Sequence, residues 1–218
     1  MNKSKHVRHR PDSMAILAMK VKTTFYRRLF FMSFTLSRPI PSLRSRLPVS
    51  VTLMTEHDIP AYCAFRPAQN PEAIGARLTQ GHRCYASWHH GEIVDASWCT
   101  DKCGPVPYFG SELCVAPGDM FVYDSYTVPS YRGYNLYMAK VTYIFTLCKA
   151  EGYARNVAVV APENRTALTV LRRLGSQVLG QYTCLRVGFW KKIWQEPFSE
   201  EPLPQMLAPS SGGNERHV

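Results

Sequence analysis

At 218 residues, with 45% hydrophobic and 12% aromatic content, the chain can bury a core as one domain and falls outside the disordered classes. Its net charge of +10 sits in the first fifty residues, where eleven Lys and Arg face a single acid, Asp12, while fifteen basic and fifteen acidic residues balance over the remainder. The main body therefore has no bias towards a polyanion. No specific nucleic acid is expected as a partner, and at most weak contact with a membrane surface is expected through residues 1–48.

Seven cysteines are scattered without a CxxC pair, and the Cys99–Cys103 spacing has no second half that would complete a zinc site. Buried free thiols in a reducing compartment, and no metal, are the expectation. No apolar run is long enough to span a bilayer or to serve as a signal peptide, so a cytoplasmic location is expected.

In chain order, residues 1–13 are polar and basic. A helix is expected from Ser13 to about Leu29, then a strand over Phe30–Leu36, then a connector, Arg38–Pro48, with three prolines. The compact part is expected over 49–192. Val49–Met54 reads as a strand, and Thr55 caps a helix with Glu56 and Asp58 in its first turn. A second helix starts near Pro71 and ends at Gly81. Arg83–Trp88 and Glu92–Cys99 form a hairpin with His89-His90-Gly91 at its tip. Cys103–Phe109 reads as a loop, Ser111–Val115 as a short strand, and Met120–Val128 as a strongly β-prone run. Next comes a helix from about Tyr134 to Ala150, with Gly152 as its left-handed cap. Asn156–Val160 is a buried strand. Asn164 caps a helix carrying Ala167, Val170, Leu171 and Leu174 on one face and ending at Gly175. Gln177–Leu179 and Tyr182–Trp190 close the sheet, and residues 193–218 read as a polar tail.

This order gives a βαβ core in a mixed sheet, which by itself supports many functions. The detail narrows it. Thr127-Val-Pro-Ser-Tyr-Arg-Gly-Tyr-Asn-Leu-Tyr137 resembles the acyl-CoA loop of the GNAT acyltransferase superfamily, in which a strand ends in V-x-P-x-[YF]-R-G and [QR]-x-x-G-x-[GA] opens a helix. Asn164-x-x-Ala167 with Leu174-Gly175 resembles the second GNAT element, and the likeness covers roughly Val49–Val187. Pro117–Tyr137 is also similar to a bacterial branch with a Y-D-x-Y-T-x-P-x-Y-R-G-x-G-[LI]-Y pattern. The resemblance implies an α+β, layered fold: a mixed, mostly antiparallel sheet with splayed central parallel strands and flanking helices. It implies an N-acyltransferase using acetyl-CoA as co-substrate, with a small-molecule or peptide amine as acceptor.

The chemistry of the loop comes from its residues. A diphosphate needs convergent donors, and the first turn of a helix offers unpaired N–H groups at its positive end. Arg132, Gly133, Tyr134, Asn135, Leu136 and Tyr137 would form that cradle, with Val128 at the strand end and Asn164 at the second element. Pro129 biases Val128 to an extended conformation, which helps Met120–Val128 splay and leave edge amides for the pantetheine arm and the thioester oxygen.

Two positions depart from the pattern. Asn135 stands where glycine is usual, a mild change because Asn tolerates left-handed angles, and Tyr137 stands where Gly or Ala is usual. Leu171 occupies the position at which many members carry a tyrosine that protonates the departing thiolate. A thiol of pKa about 8.5 can leave without much help, and Tyr134, Tyr137 or Tyr182 could substitute. An amine acceptor must lose a proton before attack, so a carboxylate or a water is needed. Asp124 shares the parity of Tyr126 and Val128 on the strand, with Glu112 and Asp119 as alternatives, and Asp124 is equally readable as a structural partner to a loop. The catalytic candidates are thus Asp124, Tyr126 and Tyr137. The aromatics Trp88, Trp98, Tyr108, Phe109, Tyr123 and Tyr126 would suit a ring-shaped acceptor or a sheet core. The competing reading is a GNAT-fold binding protein that has lost catalysis.

Overall fold

The computed structural model describes residues 24–208. The first strand, β1 (Phe25–Thr35), runs through the segment where the helix was expected to end. Strand wins because β1 pairs with β9 from Phe25 to Ser33, and from Leu29 onward both faces are covered: Leu29 and Phe31 enter one core, Met32 and Phe34 the other. Residues 13–23 of the expected helix lie outside the described residues. After the connector come β2 (Ser50–Leu53), a 3₁₀ turn at Glu56–Asp58, α1 (Ile59–Phe65) and α2 (Pro71–Thr79). Thr55 and Asp58 form a reciprocal capping box, and Asn70 accepts a hydrogen bond from the Glu72 N–H.

The hairpin of β3 (Arg83–His89) and β4 (Glu92–Thr100) turns at His90 and Gly91, both with positive φ (50° and 81°). Next come β5 (Cys103–Val106), β6 (Ser111–Cys114), β7 (Asp119–Thr127), α3 (Leu136–Ala150), β8 (Arg155–Val160) and α4 (Arg165–Arg173). The chain finishes with β9 (Gln177–Val187), β10 (Trp190–Pro197) and β11 (Gln205–Leu207). β9 is one strand where two were expected, and β10 carries regular structure past Lys192.

Eight strands form one sheet in the order β10-β9-β1-β8-β7-β4-β3-β2, and β11-β6-β5 form a smaller one. The sheet draws on chain from both sides of residues 48 and 192. Every pairing is antiparallel except β7 with β8. One face packs α1, α2 and the small sheet around Tyr62, Ile74, Trp98, Leu113 and Phe121. The other packs α3 and α4 around Phe34, Val122, Ile144, Phe145 and Leu171. The fold is α+β, layered, with helices on both faces of a mixed sheet.

Two expectations are corrected in the small sheet. Cys103–Val106 is a strand, with Pro105 accommodated because β5 is an edge. Cys103 and Cys114 stand directly opposite each other across β5 and β6 and form a disulfide, so five cysteines, not seven, are free. The Gly-Pro composition masked the strand, and without the strand the juxtaposition is invisible. Among the described residues no helix is long and apolar enough to cross a membrane.

His82, between α2 and β3, places Nδ1 2.6 Å from the Tyr123 hydroxyl in the core. Burial, reinforced by Arg77, holds its imidazole below the ordinary histidine range. Below a pH of about 6.5 the unfolded chain takes up a proton that the folded protein resists, so this contribution is present above that pH and is lost as pH falls through it. Thermal melts from pH 7.5 to 5 should show falling stability, and His82→Gln should flatten that slope. An unchanged slope in the variant would place the acid sensitivity elsewhere.

Candidate active site

The parallel pair β7 and β8 shares only three ladder positions, Asp119 with Arg155, Met120 with Asn156 and Phe121 with Val157. From Val122 onwards β7 pairs only with β4, so β7 and β8 diverge and open a wedge. At its foot lies a cavity of about 10 Å³, lined by Val122, Tyr137, Val157, Ala158 and Leu171 among others. Leu171 therefore faces the wedge with an apolar side chain.

β7 also carries a bulge. Trp98 pairs with Tyr123 and Ala96 with Tyr126, so one residue of β4 faces two of β7, and Asp124 sits in the bulge at φ 45°. The two oxygens of Asp124 accept hydrogen bonds from Arg66, which caps α1, and Arg77, on α2, each at 3.0 Å. The Arg66 guanidinium also lies over the Tyr126 ring, which packs against Phe65. The alternatives stand elsewhere. Asp119 is at the opposite end of β7, clasped by Arg155 at 2.7 and 2.8 Å, and Glu112 is on β6 of the small sheet. Of the aromatic candidates, Trp98, Phe109 and Tyr123 are buried core.

Past the bulge, Val128 hydrogen-bonds through its N–H to the Val94 carbonyl, and Pro129–Tyr131 makes a single 3₁₀ turn. Arg132 is exposed and donates through Nε to the Thr127 carbonyl at 3.3 Å. Gly133 and Asn135 both take positive φ, 85° and 61°, so helix α3 begins abruptly at Leu136, two residues after the expected start. Asn135 gives no side-chain cap, in contrast to Asn164, whose side chain accepts from the Ala167 N–H at 3.1 Å. The first-turn N–H groups of α3 thus lack a side-chain cap at the positive end of a 15-residue helix. Tyr134 is exposed, and its carbonyl accepts the Arg46 N–H at 2.9 Å, which ties the connector to the loop. Leu136 is buried and anchors the first turn. Tyr137 turns inward, its hydroxyl facing Ser125, and burial keeps the phenol protonated far above neutral pH.

Beside Tyr137 lies a buried ion pair that no sequence motif announces. Lys140 and Asp95 are both fully buried, with Nζ 2.7 Å from Oδ2. Thr127 donates to Asp95 Oδ1 at 2.7 Å, and Ser87 and the Ser97–Ser125 pair complete a polar layer between α3 and the sheet. The remaining donor capacity of Lys140 has no acceptor among the described residues. Burial pulls the Lys140 ammonium below its ordinary range, against the attraction of Asp95. A signal is nonetheless present in the sequence: Lys140 interrupts the stripe Leu136–Ile144 at helical spacing, and Asp95 interrupts Ile93–Ala96. Removing one member leaves a buried charge alone, so Lys140→Met should cost about 3–5 kcal/mol in denaturant unfolding, and Asp95→Leu combined with Lys140→Met should recover most of it. A double variant as unstable as the single one would show that the pair does more than balance charge.

No protein-family model and no curated protein sequence matches the chain. Its structure is similar to that of a GCN5-related N-acetyltransferase from Sphaerobacter thermophilus, with TM-score 0.55 and 16% identity over 84% of this chain and 56% of that one. It is also similar to an acetyltransferase assigned to the GNAT family from Novosphingobium aromaticivorans, with TM-score 0.54 and 19% identity over 75% and 65%. A functionally unknown conserved protein from Staphylococcus epidermidis matches at TM-score 0.51 and 9% identity over 82% and 69%. The chain spans less than two thirds of the length of the first two. Identities this low speak to architecture alone, and the architecture is GNAT-like.

Proposed function

We propose that the chain is an acyl-CoA-dependent N-acyltransferase, most simply an N-acetyltransferase using acetyl-CoA, acting on a small-molecule or peptide amine. The observation that carries this reading is the start of α3: a helix N-terminus without a side-chain cap, preceded by two left-handed residues and opening beside the β7–β8 wedge. The diphosphate would lie on the N–H groups from Gly133 to Tyr137, with Arg132 as counter-charge and Asn164 at the far side of the wedge. The pantetheine arm would run along the unpaired edge of β7, whose amides would hold the thioester oxygen as charge develops on it.

The amine would attack from the side of Tyr126, and the ammonium proton must first leave. Both Asp124 oxygens already accept from arginines, which favours water as the base and gives Asp124 the task of shaping the strand. Thiolate would depart with protonation from solvent or from Tyr137, whose ring lines the wedge while its hydroxyl faces Ser125. The same engagement of Asp124, with Leu171 in the wedge, motivates the second reading, a fold that binds acyl-CoA without transfer.

Gly133→Val should weaken acetyl-CoA binding at least tenfold in calorimetry: its neighbourhood is open, so the damage comes from φ 85° and from crowding the phosphates. Unaltered affinity would remove the loop from the site. Asp124→Asn tests the base. With water as base, specific activity per folded molecule should fall less than about tenfold while the melting temperature drops, as the bulge loses its ion pairs. A loss of about two to four orders of magnitude at unchanged stability would instead make Asp124 the base. Acetyl-CoA binding with no thiol release across a broad amine panel would favour the non-catalytic reading.

A further inference from the structure

The end of the sheet that carries the β9–β10 hairpin presents a surface that no element of the described chain covers. Cross-strand pairing fixes which side chains share this face. Tyr26, Leu185 and Lys192 stand in one row across β1, β9 and β10; in the next, Arg28 and Trp194 flank Thr183, which is buried between them; Val187 and Trp190 pair at the tip. On the opposite face the same strands are occupied: Arg27 donates to the Tyr108 carbonyl, and Lys191 reaches the Gly110 carbonyl and the Ser111 hydroxyl. The uncovered face is strongly apolar for a surface. Phe189 is 88% exposed, Tyr26 60%, Trp190 53%, Val187 49% and Trp194 39%. A contiguous patch of this kind on a folded domain marks an interaction site.

Three features identify the partner. First, the patch reaches past the neighbouring strand. β1 pairs with β8 only as far as Phe30 opposite Val160, yet continues to Phe25 opposite Arg186 of β9. Five further residues extend the hairpin roughly 17 Å past the end of β8. Phe189, with Gly188 at positive φ, stands at its apex. A narrow apolar apex suits insertion into a fluid interface better than docking against a flat one. Second, the apolar tip is ringed by cations. Arg28 and Lys192 are exposed on the same face, and the one acid on β1, β9 or β10 is Glu196, at the strand end away from the tip. Third, the chain that precedes Thr24 carries six Lys and Arg against Asp12 alone and enters β1 beside Arg186, at the root of this hairpin. The basic segment is therefore attached at the end of the sheet that carries the aromatic apex.

We infer that the β9–β10 hairpin tip docks on an anionic lipid surface, with Phe189 and Trp190 entering the headgroup boundary and Arg28, Lys192 and the chain before Thr24 meeting the lipid charge. Aromatic side chains settle at that boundary, and lysine and arginine reach past it to phosphate. The face is independent of the acyl-CoA reading, since it lies on β1, β9 and β10 and not on β7 and α3.

The test is flotation of the full chain with phosphatidylcholine vesicles, with and without about 30% phosphatidylserine. The chain should float with the anionic vesicles and at least about tenfold less with the neutral ones, more weakly as salt rises. Tryptophan emission should shift to the blue on binding. Phe189→Ser with Trp190→Ser should cut flotation about tenfold while the thermal melt changes little, because Phe189 stands in solvent and Trp190 is half exposed. Arg28→Glu with Lys192→Glu should do the same through charge. Equal flotation of the Phe189/Trp190 variant and the parent would overturn the inference, as would loss of binding on deleting residues 1–23 with no effect of the hairpin substitutions. A dimer in sedimentation that the same substitutions dissolve, with no vesicle binding, would assign the patch to a second copy of the chain instead.

Discussion

Asp124 occupies a backbone conformation that an L residue adopts only at a cost, and two guanidinium groups hold it there. With φ at 45°, it inserts one extra residue into β7 and reverses the parity of the strand beyond it. Tyr123 and Asp124 both face the layer of α1 and α2, while Ser125 and Thr127 are delivered to the side of α3. Arg66 comes from the end of α1 and Arg77 from α2, so one carboxylate ties two helices to the strand at its point of strain. An ion pair on a partly exposed surface contributes little by itself. Here two of them converge on one strained residue, and a charge-assisted contact to a fixed fork constrains direction as well as energy.

The second constraint is the polar layer under α3. Hydrophobic contact alone would let a helix slide over a sheet by a fraction of a turn, since dispersion is nearly non-directional. Lys140 cannot slide. Moving its ammonium off Asp95 would leave two buried charges unmatched, and Thr127 already uses the other oxygen of Asp95. The helix register is thereby tied to the end of β7, and the loop between them, from Val128 to Asn135, has both ends fixed. Such a layer adds little net stability over an apolar one, but it makes the position of the helix start single-valued, as the proposed site of backbone N–H groups would require.

Much of this architecture was legible in the sequence because it rests on local rules. The hairpin tip at His90-Gly91, the caps at Thr55 and Asn164, the β-prone run ending at Thr127 and the helix closing before Gly152 each depend on a few adjacent residues. The features hidden from the sequence depended on tertiary neighbours. Phe25–Leu29 reads as a helix until β9 is seen paired along it, and Cys103 pairs with Cys114 only once β5 is known to be a strand. Lys140 and Asp95 each looked like an interruption in an apolar stretch, and their significance appears only when two distant interruptions meet at 2.7 Å. The partners of Asp124 lie 58 and 47 residues away, on helices whose placement no local pattern encodes.

Asn135 stands where the resembled motif has glycine, and it takes a left-handed conformation open to glycine. Glycine suits that position because the backbone turns left-handed before the helix, and the cost of doing so rises with a Cβ. Asparagine is among the few other residues that visit this region, since its short amide can compensate locally. The observed φ of 61° at Asn135, following 85° at Gly133, keeps the reversal that points the first N–H groups of α3 outward. Tyr137 is accommodated differently: it sits one turn before Lys140 on the inward face, where its ring lies 5.8 Å from the ammonium and its hydroxyl faces Ser125. Its bulk is thus absorbed by the polar layer. The substitution at 137 and the buried pair at 95 and 140 belong to one arrangement, in which a larger side chain at the helix start is matched by charge and hydroxyl groups beneath it.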